Sequence, residues 1–214
     1  EQLTGQDPDA VEWIWELLYR GTRYRPGSSG MAALSAIDLA LWDIKGRSIG
    51  LPVYKLLGGN VKDKVPGYLD IRWDNPDHDQ QLIVEKALAE GYKAFKTAPL
   101  PSHWRELHWG DALDAGRRQL QALRELVGTS VEIGIDAHAQ QFEPWRAIEL
   151  ANALAEYRPT FIEEPLRMEN RAVMAGLRRR YPVPLATGEC LYTKFEFEEL
   201  ISVDGVDLIQ PDIL

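Results

Sequence analysis

Two hydrophobic patterns divide the chain near Gly58-Gly59. Upstream, apolar residues recur at helical spacing. Val11, Ile14, Leu17 and Leu18 predict a helix over Asp9–Arg20 after a capping-competent TGQDP, and Leu34, Ile37, Leu41 and Ile44 predict a second over Ala32–Arg47, stopped by Gly50 and Pro52. The Gly/Ser/Arg-rich stretch GTRYRPGSSG between them predicts a loop. Downstream, short apolar runs alternate with amphipathic ones. VPGYLDI (65–71), KAFKTAP (93–99), VEIGIDAH (131–138), TFIEEP (160–165), VPLATGE (183–189) and DLIQPDI (207–213) predict six strands. Helices are predicted between them: QLIVEKALAEG with Leu82, Lys86 and Leu88, a Leu113, Leu120, Leu123, Val127 stripe ending at Gly128, and a run from near Trp145 through Ile148 and Leu154. Such alternation makes βαβ units and a parallel sheet.

Polar residues gather at the C-terminal ends of these strands. That distribution predicts an α/β fold of the (β/α) TIM type, in which successive strands supply one site from that rim. An open doubly wound sheet is the alternative, and it would gather contacts at a single switch point. A closed barrel has eight strands, so an incomplete barrel is expected, with two strand–helix units outside this sequence. The chain lacks an initiator methionine and opens on neither the basic nor the apolar region of a signal peptide, so it reads as beginning within something longer.

Composition narrows the partners. A formal net charge of −9 repels nucleic acid and anionic membrane surfaces, and an anionic substrate would need a local cation. No run is long and apolar enough to span a bilayer. The single cysteine, Cys190, allows no internal disulfide and points to a reducing cytoplasm. Gly58-Gly59 belongs to no phosphate-binding glycine pattern. Arg178, Arg179 and Arg180 end a predicted helix, where positive charge suits the dipole.

Asp136, Glu163 and Glu189 each end a predicted strand, at near-equal intervals of one βα unit. That spacing predicts three carboxylates on adjacent strand ends at one height. Unpaired carboxylates so close repel and need a cation. An all-oxygen shell completed by water suits Mg2+ rather than zinc, which prefers His and Cys. A lone acid at a strand end is commonly a helix cap or ion-pair partner; three in register are a much rarer coincidence. Glu164 adjoins Glu163, and because consecutive strand residues face opposite sides, only one of them can point into a site.

SAIDLALWDIKGRSIGLPVYKLLGG (35–59), GIDAH, FIEEP, and LATGE followed by LIQPD together resemble the enolase superfamily. Within it they are most similar to the galactonate-type sugar-acid dehydratases of the mandelate racemase subgroup. The resemblance covers nearly the whole chain. It implies that residues 1–60 are the C-terminal helices of an α+β capping domain and that 61–214 are the first six strand–helix units of the barrel. It implies Mg2+ held by Asp136, Glu163 and Glu189, selecting Glu163 over Glu164. A small acid-sugar substrate and a homo-oligomer are implied as well.

His138 follows Asp136 by two residues, on the same face if the strand continues, where a histidine suits proton transfer. A hydrogen-bonded strand-end histidine is the plainer alternative. The resemblance makes His138 the acid that protonates a departing β-hydroxyl. Lys96 ends the second strand; a rim lysine is commonly solvated, but beside a metal it could bind a carboxylate or act as base. Racemases of the subgroup carry Lys-x-Lys here, whereas this chain has Lys96-Thr97-Ala98, which also departs from the asparagine that galactonate-type enzymes carry in the last position. Asp212 matches the aspartate that pairs with the family's catalytic histidine, a residue of a seventh strand. His78 falls in a predicted loop before a helix. His103 and His108 lie in the Trp-rich loop PSHWRELHWGD, which either overhangs the site or merely packs. Lys93 reads as surface and Cys190 as packing.

Three functions compete. The first is a lyase that removes the proton α to a carboxylate and eliminates water from a sugar acid. The second is a racemase or epimerase of a 2-hydroxy or amino acid through the same enediolate. The third is an inactive barrel fragment.

Overall fold

Period-two alternation along short strands decides which side chains meet the helices and which are left for chemistry. The computed structural model describes residues 2–21, 26–72, 79–141 and 143–212, so His78 and Ile213, the last residue of the sixth apolar run, lie outside the described residues. Contacts divide the chain into two units, one ending at Val65 and joined by Asp212, the other running from Pro66 to Pro211.

The first unit holds α1 (Val11–Gly21), α2 (Ser28–Ile49) and the single turn α3 (Val53–Leu56). Val11 and Ile14 are buried with Leu41, and Leu18, Ile37 and Trp42 pack against them. The α2 stripe is shorter than its spacing suggests, since Ile44 is 46% exposed. Gly50 ends α2 in the left-handed region, with φ 70°, and donates back to the Arg47 carbonyl.

The second unit alternates β1 (Leu69–Ile71), α4 (Gln80–Ala89), β2 (Ala94–Thr97), α5 (Trp109–Val127), β3 (Glu132–Asp136), α6 (Pro144–Leu154), β4 (Phe161–Glu163), α7 (Arg171–Arg178), β5 (Leu185–Thr187), α8 (Lys194–Ser202) and β6 (Leu208–Ile209). Every pairing is parallel, and the sheet order follows the chain order from β1 to β6. A doubly wound sheet reverses its order at the switch point. This one does not, and it corresponds to consecutive units of a TIM-type barrel. No helix among the described residues is long and apolar enough to cross a membrane.

One face of the sheet is apolar. Ile71, Phe95, Ile133, Ile135 and Ile162 share a core with Leu120 and Leu123 of α5 and Leu150 and Leu154 of α6. Leu185 joins Met174 and Leu177 of α7 and Leu200 of α8 in a second cluster. Each such side chain, fully buried, contributes roughly 1.5–3 kcal/mol. A one-residue slip would drive Lys96 and Glu163 under the helices, so burial fixes the register. The opposite face carries Lys96, Gly134, Asp136, Phe161 and Glu163. Gly134 makes room there, because a Cβ would lie 2.6 Å from the Phe161 ring.

Helix α4 packs Leu88 against the core but turns Leu82 outward. Val84 and Ala87 are buried with Gln80, while Leu82 is 60% exposed. The Asp79 carboxylate caps this helix by accepting from the Leu82 N–H at 3.1 Å.

At the N-terminal ends of β3 and β4 the Arg124 guanidinium donates to four carbonyls, those of Gly128, Val131, Tyr157 and Arg158, at 2.6–3.1 Å. Arg124→Met keeps the aliphatic stem and removes the donors. The expected cost is about 2–3 kcal/mol, read as a lower urea midpoint; an unchanged midpoint would mean that water substitutes for the guanidinium.

Candidate functional site

Strands β3 and β4 end on acids placed side by side. Asp136 is the register partner of Glu163, and the two are only 3% and 4% exposed. Carboxylates so placed need a positive charge between them. Lys96 supplies it from lower on the same face, opposite Gly134. Its Nζ donates to Asp136 Oδ2 at 2.8 Å and to Glu163 Oε2 at 3.0 Å. The Tyr68 ring centroid stands 5.4 Å from the same ammonium, a cation–π arrangement. Burial pulls the Lys96 pKa down, but the hydrogen bonds and charges of Asp136 and Glu163 outweigh it and hold the group above its ordinary value. The two carboxylates thus favour the charged form of Lys96 in this arrangement.

Glu189 departs from the expected common height. Glu163 pairs with Ala186, so Glu189 lies beyond that level, past the end of β5, and is exposed. The cause is local. Gly188, with φ 142°, turns the chain, and its carbonyl accepts from the Leu191 N–H at 2.9 Å. A Cβ at Gly188 would lie 2.9 Å from Phe197 and 3.1 Å from the Gln210 backbone. Burial and the charges of Asp136 and Glu163 push the Glu189 carboxyl up, against the opposing pull of His138 and Lys96. The three acids therefore act on one another. Among the described residues, however, no three His, Cys, Asp or Glu side chains stand close enough to hold one ion as arranged. The donor chemistry still fits a hard divalent cation. It is oxygen-only, and the Asp136–Glu163 pair already shares one positive charge.

His138 reaches the acids by a turn rather than by strand alternation. The strand stops at Asp136, and both His138 and Ala139 take left-handed backbone, with φ 51° and 50°. Such strain clusters where structure over-determines a functional geometry. Here the His138 N–H donates to Asp136 Oδ1 at 2.9 Å and the Ala139 N–H to the Glu164 carbonyl at 2.7 Å. The turn places His138 Nε2 3.4 Å from Asp136 Oδ2 and leaves the side chain 44% exposed.

Glu164 follows the end of β4 on left-handed backbone, with φ 43°, and its side chain turns to β5 rather than to Lys96, leaving it 1% exposed. Its Oε1 accepts from the Thr187 hydroxyl and from the Gly188 N–H at 3.0 Å, while Oε2 has no hydrogen-bond partner among the described residues. Burial raises its pKa against the pull of those two hydrogen bonds. A cavity of about 470 Å³ opens here, lined by His138, Glu164, Arg167, Glu189, Cys190 and Leu191 among others.

Other expectations resolve less uniformly. Asp212 is exposed and groups with the first unit. In the Trp-rich loop, Trp104 is buried, donates to Gln140 Oε1 at 2.7 Å and meets Trp109 edge-on at 6.3 Å, so the tryptophans pack. His103, His108 and Lys93 are exposed. Cys190 is exposed rather than packed, and burial together with Glu164 and Glu189 pushes its thiol up, which disfavours a thiolate nucleophile. Arg178 pairs with Asp207 at 2.8 Å and Asp204. Gln210 was not anticipated. It follows β6 and its amide donates to Glu163 Oε2 at 3.1 Å, and the signal for it was the one that marked the acids, a polar residue closing an apolar run.

The chain matches known families and solved structures along nearly its whole length. Residues 81–214 match the family model for enolase C-terminal domain-like proteins. Residues 1–58 match that for the mandelate racemase / muconate lactonizing enzyme N-terminal domain. A D-galactonate dehydratase from Pectobacterium atrosepticum is 37% identical over 218 residues, covering 100% of this chain and 55% of the relative. Another from Ralstonia nicotianae is 38% identical over 215 residues, again covering 100% and 55%. This chain thus spans about half the length of the curated relatives it matches. Among solved structures, an enolase from Agrobacterium radiobacter, a candidate galactarate dehydratase with sodium and L-malate bound, superposes with a TM-score of 0.90 at 42% identity, over 99% of this chain and 54% of that one. A candidate dehydratase from Mesorhizobium loti gives 0.88 at 31% identity, over 98% and 57%.

Glu164 and Glu189 both hold protons at higher pH when folded than when unfolded. Between the ordinary carboxylate range and neutrality the folded chain therefore binds more protons, and its stability falls as pH rises through that window. Glu164→Gln keeps the oxygen acceptor and removes the buried charge. Urea unfolding from pH 5 to 8 should show this variant about 1 kcal/mol more stable near pH 7, with a flatter pH dependence; an unchanged slope would contradict the assignment.

Proposed function

Because this chain belongs to the enolase superfamily, in its mandelate racemase / muconate lactonizing enzyme branch, we propose that the protein it represents is a carbon–oxygen lyase, an acid-sugar dehydratase. The reaction removes the proton α to a carboxylate and expels the β-hydroxyl as water. The observation that carries this reading is the pair of buried strand-end carboxylates, Asp136 and Glu163, bound to one ammonium, with Glu189 and His138 coupled to them.

Asp136, Glu163 and Glu189 would hold Mg2+, Glu189 closing on it by side-chain rotation from its exposed position past β5. When bound, Mg2+ lowers the cost of the negative charge that builds on the substrate carboxylate oxygens as the α-proton leaves. Lys96, which donates to Asp136 and Glu163, adds its ammonium on the same side. The α-proton goes to a histidine on a seventh strand outside this chain, which Asp212 would orient. His138 gives its proton to the β-oxygen as the C–O bond breaks. Water departs and the enol tautomerises to a 2-keto-3-deoxy acid. Racemases of the subgroup carry a second lysine where this chain has Ala98, which favours the dehydratase over that alternative. A small acid sugar as substrate and a homo-oligomeric assembly complete the proposal.

The test uses the whole protein, with its flanking sequence, Mg2+ and a panel of acid sugars assayed for 2-keto product. Asp136→Asn, Glu163→Gln and Glu189→Gln should each abolish Mg2+-dependent turnover. His138→Asn should slow dehydration by about 10²–10⁴-fold while α-proton exchange with deuterated solvent persists. Exchange without any 2-keto product in the wild type would instead make the protein an epimerase.

A further inference from the structure

Two adjacent glutamates face opposite ways at the end of β4, and only Glu163 reaches the charged cluster. Glu164 lies almost wholly out of solvent, on left-handed backbone with φ 43°. A charged side chain and a strained backbone at one position are costly, and they persist only where the surroundings hold them. Three sets of bonds hold this residue. Its N–H donates to the Ala186 carbonyl of β5 at 3.0 Å. Its own carbonyl accepts from the Ala139 N–H at 2.7 Å, at the turn that swings His138 back to Asp136. The carboxylate then reaches over β5, where Oε1 takes the Thr187 hydroxyl and the Gly188 N–H.

The contacts to Thr187 and Gly188 matter because Glu189 is the next residue and no strand carries it. Its direction depends on Gly188, whose φ of 142° leaves the ladder and whose surroundings exclude a side chain. An N–H at such a turn has no strand partner to fix it, and the Glu164 carboxylate provides one. Resting on the reading of Glu189 as a metal ligand, we propose that Glu164 is a positioning residue. It clamps the Thr187-Gly188 turn and so fixes the point from which Glu189 leaves β5 and swings toward Asp136 and Glu163. The same residue fixes the His138 turn through its backbone carbonyl, so one position indexes the third acid and the proton donor against the second acid.

Three variants of the whole protein test this: Glu164→Gln, which keeps an oxygen acceptor, Glu164→Leu, which removes it, and Thr187→Val, which removes one donor at equal shape. Calorimetric titration with Mg2+ alone should show Glu164→Leu weakened by about 10–100-fold, as for other groups that orient metal ligands. Thr187→Val should be weakened by a smaller factor, and Glu164→Gln should stay near wild type. In the metal-free protein, hydrogen exchange at the Gly188 amide should quicken in Glu164→Leu, while exchange in the β2 and β3 amides is unchanged. Wild-type Mg2+ affinity in Glu164→Leu, or equal loss in Glu164→Gln and Glu164→Leu, would overturn the proposal. If Glu164→Leu fails to fold, Thr187→Val against Glu164→Gln decides it, and equal affinities in both overturn it. If the wild type itself binds no Mg2+, the metal reading falls. Gly188 exchange then stands as the judge, and unchanged protection in Glu164→Leu or Thr187→Val rejects the clamp.

Discussion

Asp136 and Glu163 sit side by side and out of solvent, and the Lys96 ammonium meets the charge they concentrate there from one strand away. Removing one partner of a buried ion set strands the others, so the arrangement constrains more than the three residues in it. Lys96 must start lower on its strand than the acids for its stem to rise between them, which ties the register of β2 to β3. Gly134 must lack a side chain where Phe161 crosses. Tyr68, just before β1, and Gln210, just after β6, add an aromatic face and an amide to the same charged group.

Strand alternation then divides the work of neighbouring residues. Positions 95, 133, 135 and 162 face the helices and make the core, while 96, 134, 136 and 163 face the other way and make the site. At the strand ends this division passes into tight turns. His138, Ala139 and Glu164 occupy left-handed backbone, and Gly188 a region only glycine enters easily. The turns do what alternation cannot. They bring a histidine back to its neighbouring acid and send a glutamate away from the strand it follows.

Much of this was legible in the sequence where it depended on periodicity. The six apolar runs each hold a strand, and their order as a singly wound parallel sheet follows from βα spacing. Lys96, Asp136 and Glu163 meet on the face their positions suggested, whereas His138 comes to them by a turn. What depended on local turn geometry was not legible. Near-equal intervals placed Glu189 level with the other acids, but residue counts say nothing of the break that Gly188 makes after Thr187. The helical pattern of α4 did not single out Val84 and Ala87, which are buried while Leu82 is exposed. Glu164 looked like a discarded alternative to Glu163, since hydrogen bonds to a turn on the next strand leave no trace in the residue pattern.

The four carbonyls gathered by Arg124 give the sheet an anchor at the end away from the chemistry. Because that guanidinium ties the approaches to β3 and β4 together, the alignment of the two strands is settled before either reaches the rim. Loops above can then lengthen, shorten or change composition without dragging Asp136 out of step with Glu163. A scaffold pinned from below in this way is free to explore new substrates from above.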